Sequence, residues 1–153
     1  MVFVHPHGDA DLVTLTARLP AQAPERLRVS SLAFRMPEVG EPLAVFGYRH
    51  MSLIGEVRRG DPATIDYERI LTVGVGQVLE QQPERRSTAL RGCPGVATDA
   101  PIHSGMSGGP VYDKNGDIVG FASSSLEPSH AGEPWNSYVA LCTRPRARLY
   151  DAA

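Results

Sequence analysis

Thr98-Asp99-Ala100-Pro101-Ile102-His103-Ser104-Gly105-Met106-Ser107-Gly108-Gly109-Pro110-Val111-Tyr112 is the stretch that decides the fold. It holds one serine, Ser107, inside the run Gly105-Met106-Ser107-Gly108-Gly109-Pro110. Glycines on both sides of that serine let the chain turn tightly without Cβ clashes. The N–H groups of Gly105 and Ser107 can then aim at one point, which is the geometry an oxyanion hole requires. Pro110 closes the turn, and Val111-Tyr112 opens a strand. A Gly/Ser-rich segment can also be a plain loop; the strand chemistry on either side argues for more.

Outward from this run the chain reads as short strands punctuated by glycine and proline. Leu12–Ala17 alternates apolar and polar residues. Residues 19–40, with Pro20, Pro24 and Pro37, form a connector that includes a short strand at Val29–Phe34. Pro42–Tyr48, Leu53–Arg58, Ile70–Leu79, Gly95–Asp99, Gly109–Asp113, Asp117–Ser123 and Ser137–Cys142 are strand-like. Asn115-Gly116 marks a hairpin, since both residues accept positive φ. Arg144–Tyr150 reads as a short terminal helix, with Pro145 in its first turn. The pattern predicts an all-β chain built around one antiparallel barrel.

Composition agrees and narrows the function. The 153 residues, 42% of them hydrophobic, support one domain with a real core. Fifteen basic and 17 acidic residues leave a net charge of −2 with no basic run, so neither nucleic acid nor an anionic membrane is an expected partner. The N-terminal Met1-Val2-Phe3-Val4-His5-Pro6 has no basic leader, and no apolar run approaches the roughly 20 residues that span a bilayer. Compartment is left open. Cys93 and Cys142 permit one disulfide and read as small buried hydrophobes. No metal-ligand spacing, phosphate-binding loop or dinucleotide fingerprint is present, so no cofactor is expected.

The run Gly105-Met106-Ser107-Gly108-Gly109-Pro110 resembles the nucleophile loop, Gly-x-Ser-Gly-Gly-Pro, of the trypsin/chymotrypsin serine proteases. Thr98-Asp99-Ala100 before it and Asp117-Ile118-Val119-Gly120 after it look most like the bacterial Deg-type branch, whose members are often secreted or periplasmic. The resemblance implies a serine-type endopeptidase acting through an acyl-enzyme, with Ser107 as nucleophile. Gly105, Met106 and Ser107 would form the oxyanion-hole loop. His5-Pro6-His7-Gly8-Asp9-Ala10-Asp11-Leu12 resembles the family segment in which an Asp-Leu pair opens a strand, and this maps the catalytic aspartate onto Asp11. The family orders its triad His, Asp, Ser, and only ten residues precede Asp11. The resemblance therefore implies that the first barrel and its histidine are missing. Residues 1–18 would be a remnant strand of that barrel and 19–40 the linker. Residues 41–150 would be the second six-stranded barrel.

None of the five histidines fits the missing base. His5 and His7 would have to fold back across Asp11, His50 sits in a turn between strands, and His130 lies in a polar loop. His103 lines the pocket wall or faces solvent. Ser123, Ser124 and Ser125 match the edge that pairs with an extended polypeptide by strand addition. Pro101 stands where trypsin-like enzymes hold a pocket-floor aspartate, and Ala100 and Ile102 suit a small or medium apolar side chain. Met106 replaces the usual Asp or Asn, so the loop lacks that polar anchor and cannot pair with a freed N-terminal ammonium. Expected partners are an extended polypeptide substrate and either a separately encoded first barrel or a second copy of the chain. The alternative to an enzyme is a silent peptide-binding barrel or an inactive gene fragment.

Overall fold

β-Branched and aromatic residues alternating along short segments set the architecture. The computed structural model describes residues 2–6, 13–17, 30–54, 66–83 and 93–142. Its elements are β1 (Val2–Pro6), β2 (Val13–Ala17), β3 (Pro42–Ile54), β4 (Asp66–Gln82), β5 (Gly95–Thr98), β6 (Pro110–Tyr112), β7 (Ile118–Leu126) and β8 (Asn136–Leu141). β3 to β8 close into a six-stranded antiparallel barrel in the order β3-β4-β5-β8-β7-β6. Closure removes the open edges that a sheet of this size would present. β1 and β2 form a separate antiparallel pair, Val2 opposite Ala17 and Pro6 opposite Val13. The strand expected alone at Leu12–Ala17 thus has a partner in Val2-Phe3-Val4-His5-Pro6, a short β-favouring run.

Inside the barrel, alternate residues meet in one apolar core that includes Leu43, Val45, Val78, Val96, Ile102, Met106, Val111, Val119 and Val139. The outward residues of β4 are apolar too: Leu71, Val73, Val75 and Leu79 are exposed. The connector is tied to the barrel by a parallel bridge, Leu32 to Ile118, with Ala33 N–H donating to Ile118 O at 2.8 Å. That bridge is what remains of the strand expected at Val29–Phe34.

Three expectations change. The strands foreseen at Pro42–Tyr48 and from Leu53 are one strand, β3, with a bulge between Arg49 and Ser52. His50 sits in that bulge at φ 52°, not in a turn between strands. A bulge leaves one residue unpaired and re-aims its neighbours, so the apolar pattern breaks there without the strand ending. The β6–β7 hairpin turns at Asp113–Asp117 with positive φ at Gly116 but not at Asn115. Asp113 organises it by accepting the N–H groups of Asn115 (2.8 Å) and Asp117 (3.1 Å) on Oδ1. The terminal helix expected at Arg144–Tyr150 lies outside the described residues.

Candidate active site

Ser107 is carried by the loop that joins β5 to β6, and the loop is shaped from beneath. Met106 N–H donates to His103 O (3.0 Å), closing a four-residue turn. Gly105, third in that turn, has φ 94°. Positive φ at that position defines a type II turn and favours glycine. A side chain there would also set its Cβ 2.8 Å from Tyr48 O. Among the described residues, neither Gly105 N–H nor Ser107 N–H donates to a backbone acceptor. Met106 N–H is occupied within the turn, so of the three loop amides only those of Gly105 and Ser107 are available to an oxygen.

Met106 anchors the loop from inside. Its side chain is fully buried in the barrel core, and His103 N–H donates to its sulfur at 3.3 Å. The close packing requires glycine at position 47 of β3, where a Cβ would lie 2.6 Å from that of Met106. The polar anchor missing from the sequence is therefore replaced by an apolar one.

β7 supplies the facing wall. β6 begins at Pro110, opposite Phe121, so it leaves β7 beyond Phe121 unmatched on that side. The nucleophile loop takes over at first: Ala122 N–H donates to Gly109 O (2.9 Å), Gly108 N–H to Ala122 O (2.7 Å) and Ser107 Oγ to Ser123 O (3.1 Å). Beyond it, Ser124, Ser125 and Leu126 pair only with β8 among the described residues. A backbone edge is left there beside the serine, which is what strand addition uses.

Ser107, Ser123, Ser124, Ser125 and Ile102 line one groove of about 430 Å³, with His103, Ser104 and Glu127. Its floor is fixed by a polar ladder. Ser137, fully buried, donates from Oγ to Ala100 O (2.7 Å) and its Oγ lies 3.1 Å from Ser125 Oγ. Ala100 and Pro101 do not line this groove: Ala100 is buried in the barrel core, and Pro101 packs its carbonyl against Gly74 of β4.

A second groove of about 490 Å³ opens on the other side of the turn, lined by Arg49, His50, His103, Ser104, Gly105 and Glu127. Sequence reading gave Arg49 and Glu127 no role. They reach the site through the β3 bulge and the end of β7, contacts that local patterns do not encode. His103 lines both grooves, in keeping with its place four residues before Ser107, and stacks edge-on against Trp135 with ring centroids 4.9 Å apart. Ser107 Oγ donates to a backbone carbonyl, which is no proton acceptor for catalysis. Asp11 and the side chains of His5 and His7 lie outside the described residues. Among the described residues no cluster of His, Cys, Asp or Glu could hold a metal ion.

One charged cluster braces the barrel away from the grooves. Arg35 of the connector pairs bidentately with Glu41 and reaches Asp113 Oδ2 at 2.6 Å. The Arg35 hydrogen bonds hold the Glu41 carboxyl below its ordinary range. At Asp113 burial opposes ionisation, yet the bonds from Arg35, Asp117 and Asn115 outweigh it and the net shift is downward.

An antiparallel six-stranded barrel that offers a serine on a glycine turn, with two neighbouring amides that donate to no backbone acceptor among the described residues and a strand edge beside them, fits the chymotrypsin-like class. The sequence matches the trypsin-like peptidase domain over residues 1–121, and the chain belongs to that family. In structure it is similar to Rv3671c from M. tuberculosis H37Rv, a crystal structure of a serine-to-alanine mutant in an inactive form, with a TM-score of 0.54 at 16% identity. The match covers 92% of this chain and 58% of that one, and at this identity it shows a shared fold. In all, 36 solved chains match. No curated protein matches.

Proposed function

We propose that this chain is the nucleophile-bearing part of a serine-type endopeptidase. Ser107 attacks the carbonyl carbon of an extended polypeptide, and Asp11 orients a histidine supplied from outside the chain. The observation that carries this reading is the formed turn at His103–Met106, which leaves the Gly105 and Ser107 amides beside the Ser107 hydroxyl. Those amides stabilise the oxyanion. The peptide lies along Ser123–Ser125, with Ile102 at the base of its pocket. Residues 1–18 serve as the piece of the first barrel that carries Asp11, 19–40 as linker and 41–150 as the second barrel. The exposed apolar face of β4 supports a partner, either a first barrel or a second copy.

Without a base the hydroxyl is a poor nucleophile near neutral pH. A general base contributes about 10²–10⁴-fold, and free imidazole can stand in for an absent histidine side chain. Labelling of the folded chain by a fluorophosphonate, with and without imidazole, tests the reading against a Ser107→Ala control. Labelling that rises with imidazole and vanishes in the control is expected. Rapid labelling without imidazole would overturn the external histidine. No labelling at any imidazole concentration would favour the second reading, a silent peptide-binding barrel, for which the Ser107 Oγ to Ser123 O bond already speaks.

A further inference from the structure

The second groove lies where the core face of β3 comes to the surface. Leu43, Val45 and Gly47 alternate along that face, and all three are buried. The same alternation brings Arg49 to it next, half-buried and still paired with Ile70 before the bulge re-aims the strand. Arg49 comes up beside the serine turn: a Cβ on Gly105 would lie 3.6 Å from Arg49 Cα. The guanidinium therefore stands at the end of the apolar stripe, in a groove it shares with His50, His103, Ser104, Gly105 and Glu127.

Its hydrogen bonds are not made within the chain. Arg49 Nε is buried and finds no hydrogen-bond partner. Among the described residues Arg49 makes no ion pair, not even with Glu127 of the same groove. Buried polar atoms are nearly always hydrogen-bonded, so an arginine Nε left this way beside a groove points to a ligand that completes it. A guanidinium matches a carboxylate through two parallel N–H···O bonds. The first groove offers nothing comparable: hydroxyls and Ile102 dominate it, and no arginine or lysine lines it. His103, Ser104 and Glu127 line both grooves, so the two are continuous past the turn.

We propose that the second groove takes an acidic side chain of the bound polypeptide, and that Arg49 sets this preference by pairing with its carboxylate. The inference rests on the reading above, in which a peptide lies along Ser123–Ser125 with its attacked bond at Ser107. The chain on the far side of that bond then enters the second groove. Arg49 Nε–H and one terminal N–H form the fork that holds the two carboxylate oxygens. Glu127 opposes the same charge from the groove wall, so the preference is the surplus of attraction over that repulsion. Neutralising Glu127 therefore sharpens it.

Peptide binding to the full chain, followed by proton–nitrogen NMR, provides the test. The frame is an alanine-rich peptide, capped at both ends, with one central valine for the Ile102 pocket. Glutamate, glutamine or lysine is placed in turn at the two positions on either side of the valine. At one of these positions glutamate should bind about tenfold more tightly than glutamine, with lysine weaker still. The Arg49 Nε–H resonance should shift with that glutamate peptide. Arg49→Gln should abolish the difference between glutamate and glutamine, Arg49→Lys should keep part of it, and Glu127→Gln should widen it. Equal affinity for glutamate and glutamine at every position would overturn the proposal, as would a glutamate preference that survives Arg49→Gln. Shifts of the Ser123–Ser125 amides with all peptides alike would then keep the peptide reading and remove only the role of Arg49. No binding by any peptide, with those amides unmoved, would overturn that reading and the proposal together.

Discussion

Replacing Met106 tests whether the serine loop is held by apolar packing. Met106→Ala removes three heavy side-chain groups from a fully buried site in the main core. At about 0.8 kcal/mol for each, the transfer loss is near 2.4 kcal/mol, and an incompletely collapsed cavity brings it to about 3 kcal/mol. With a urea m-value of about 2 kcal/mol/M, the midpoint should fall by about 1.5 M. Met106→Leu, which nearly conserves volume, should cost under about 1.5 kcal/mol. Met106→Asp restores the family's usual residue type, yet it should be the worst of the three at pH 7. It fills the site less well than Met and puts a carboxylate among the apolar side chains of the core. The sign of its pH dependence follows. Burial raises the folded-state pKa of that Asp, so the folded state holds the proton more tightly. The added destabilisation is then present at neutral pH and disappears as pH falls below the ordinary Asp value of about 3.9. Urea melts of the three variants at pH 7 and pH 3, each compared with the unaltered chain at the same pH, read out the series. Met106→Asp matching Met106→Leu at pH 7 would refute the reasoning, since a cation would then have to reach the site.

Two further outcomes are expected. Gly105→Ala places a side chain at φ 94° and against Tyr48 O, a strain of about 1–2 kcal/mol that turning the 104–105 peptide would relieve. That turn would withdraw the Gly105 amide, so imidazole-dependent fluorophosphonate labelling should drop by about 10²–10³-fold while the barrel still melts cooperatively; unchanged labelling would remove Gly105 from the oxyanion site. Arg35→Gln should cost about 1–2 kcal/mol at pH 7, a value reduced because the Arg35 side chain is 37% exposed. Its partners have lowered folded-state pKa values, so the clamp's contribution is present above the ordinary values of 4.5 for Glu41 and 3.8 for Asp113 and is lost as pH falls through the lower folded values. The gap between the variant and the unaltered chain in urea melts should close by about pH 2–3; a gap that stays constant with pH would refute an ionic clamp.

The sequence carried those parts of the fold that are local. The strands of the barrel follow from alternation, and the serine turn follows from the glycines that flank it. The β3 bulge was not legible, because a single unpaired residue, His50, mimics a strand break in the apolar pattern. β1 is not legible in the sequence because its five residues give little periodicity. Ala100 and Ile102 look alike as small apolar candidates. Only the three-dimensional path tells that, of these two core residues, Ile102 also lines the groove and Ala100 does not. Met106 is the clearest case. Its type suggested a missing polar contact, and only its burial beneath Gly47 reveals that packing does the same work.

The site's two chemical tasks divide along this line between local and non-local. Oxyanion stabilisation needs amides two residues apart on one rigid turn, and a single barrel can preassemble it from the core upward through Met106. Proton transfer needs a side chain brought from a distant part of a two-barrel fold. The Ser107 hydroxyl meanwhile donates to Ser123 O, a partner from its own barrel. The first task lowers the barrier whether or not the second is met, since amides aimed at a developing charge need no proton acceptor. On the proposed reading, the barrel would hold and polarise a carbonyl while the serine waits for a base. Supplying a base would convert binding into acyl transfer without any rearrangement of the turn. On the proposed reading, a base that reaches Ser107 over the grooves flanking His103 would meet Arg49, His50 and Glu127, which line them.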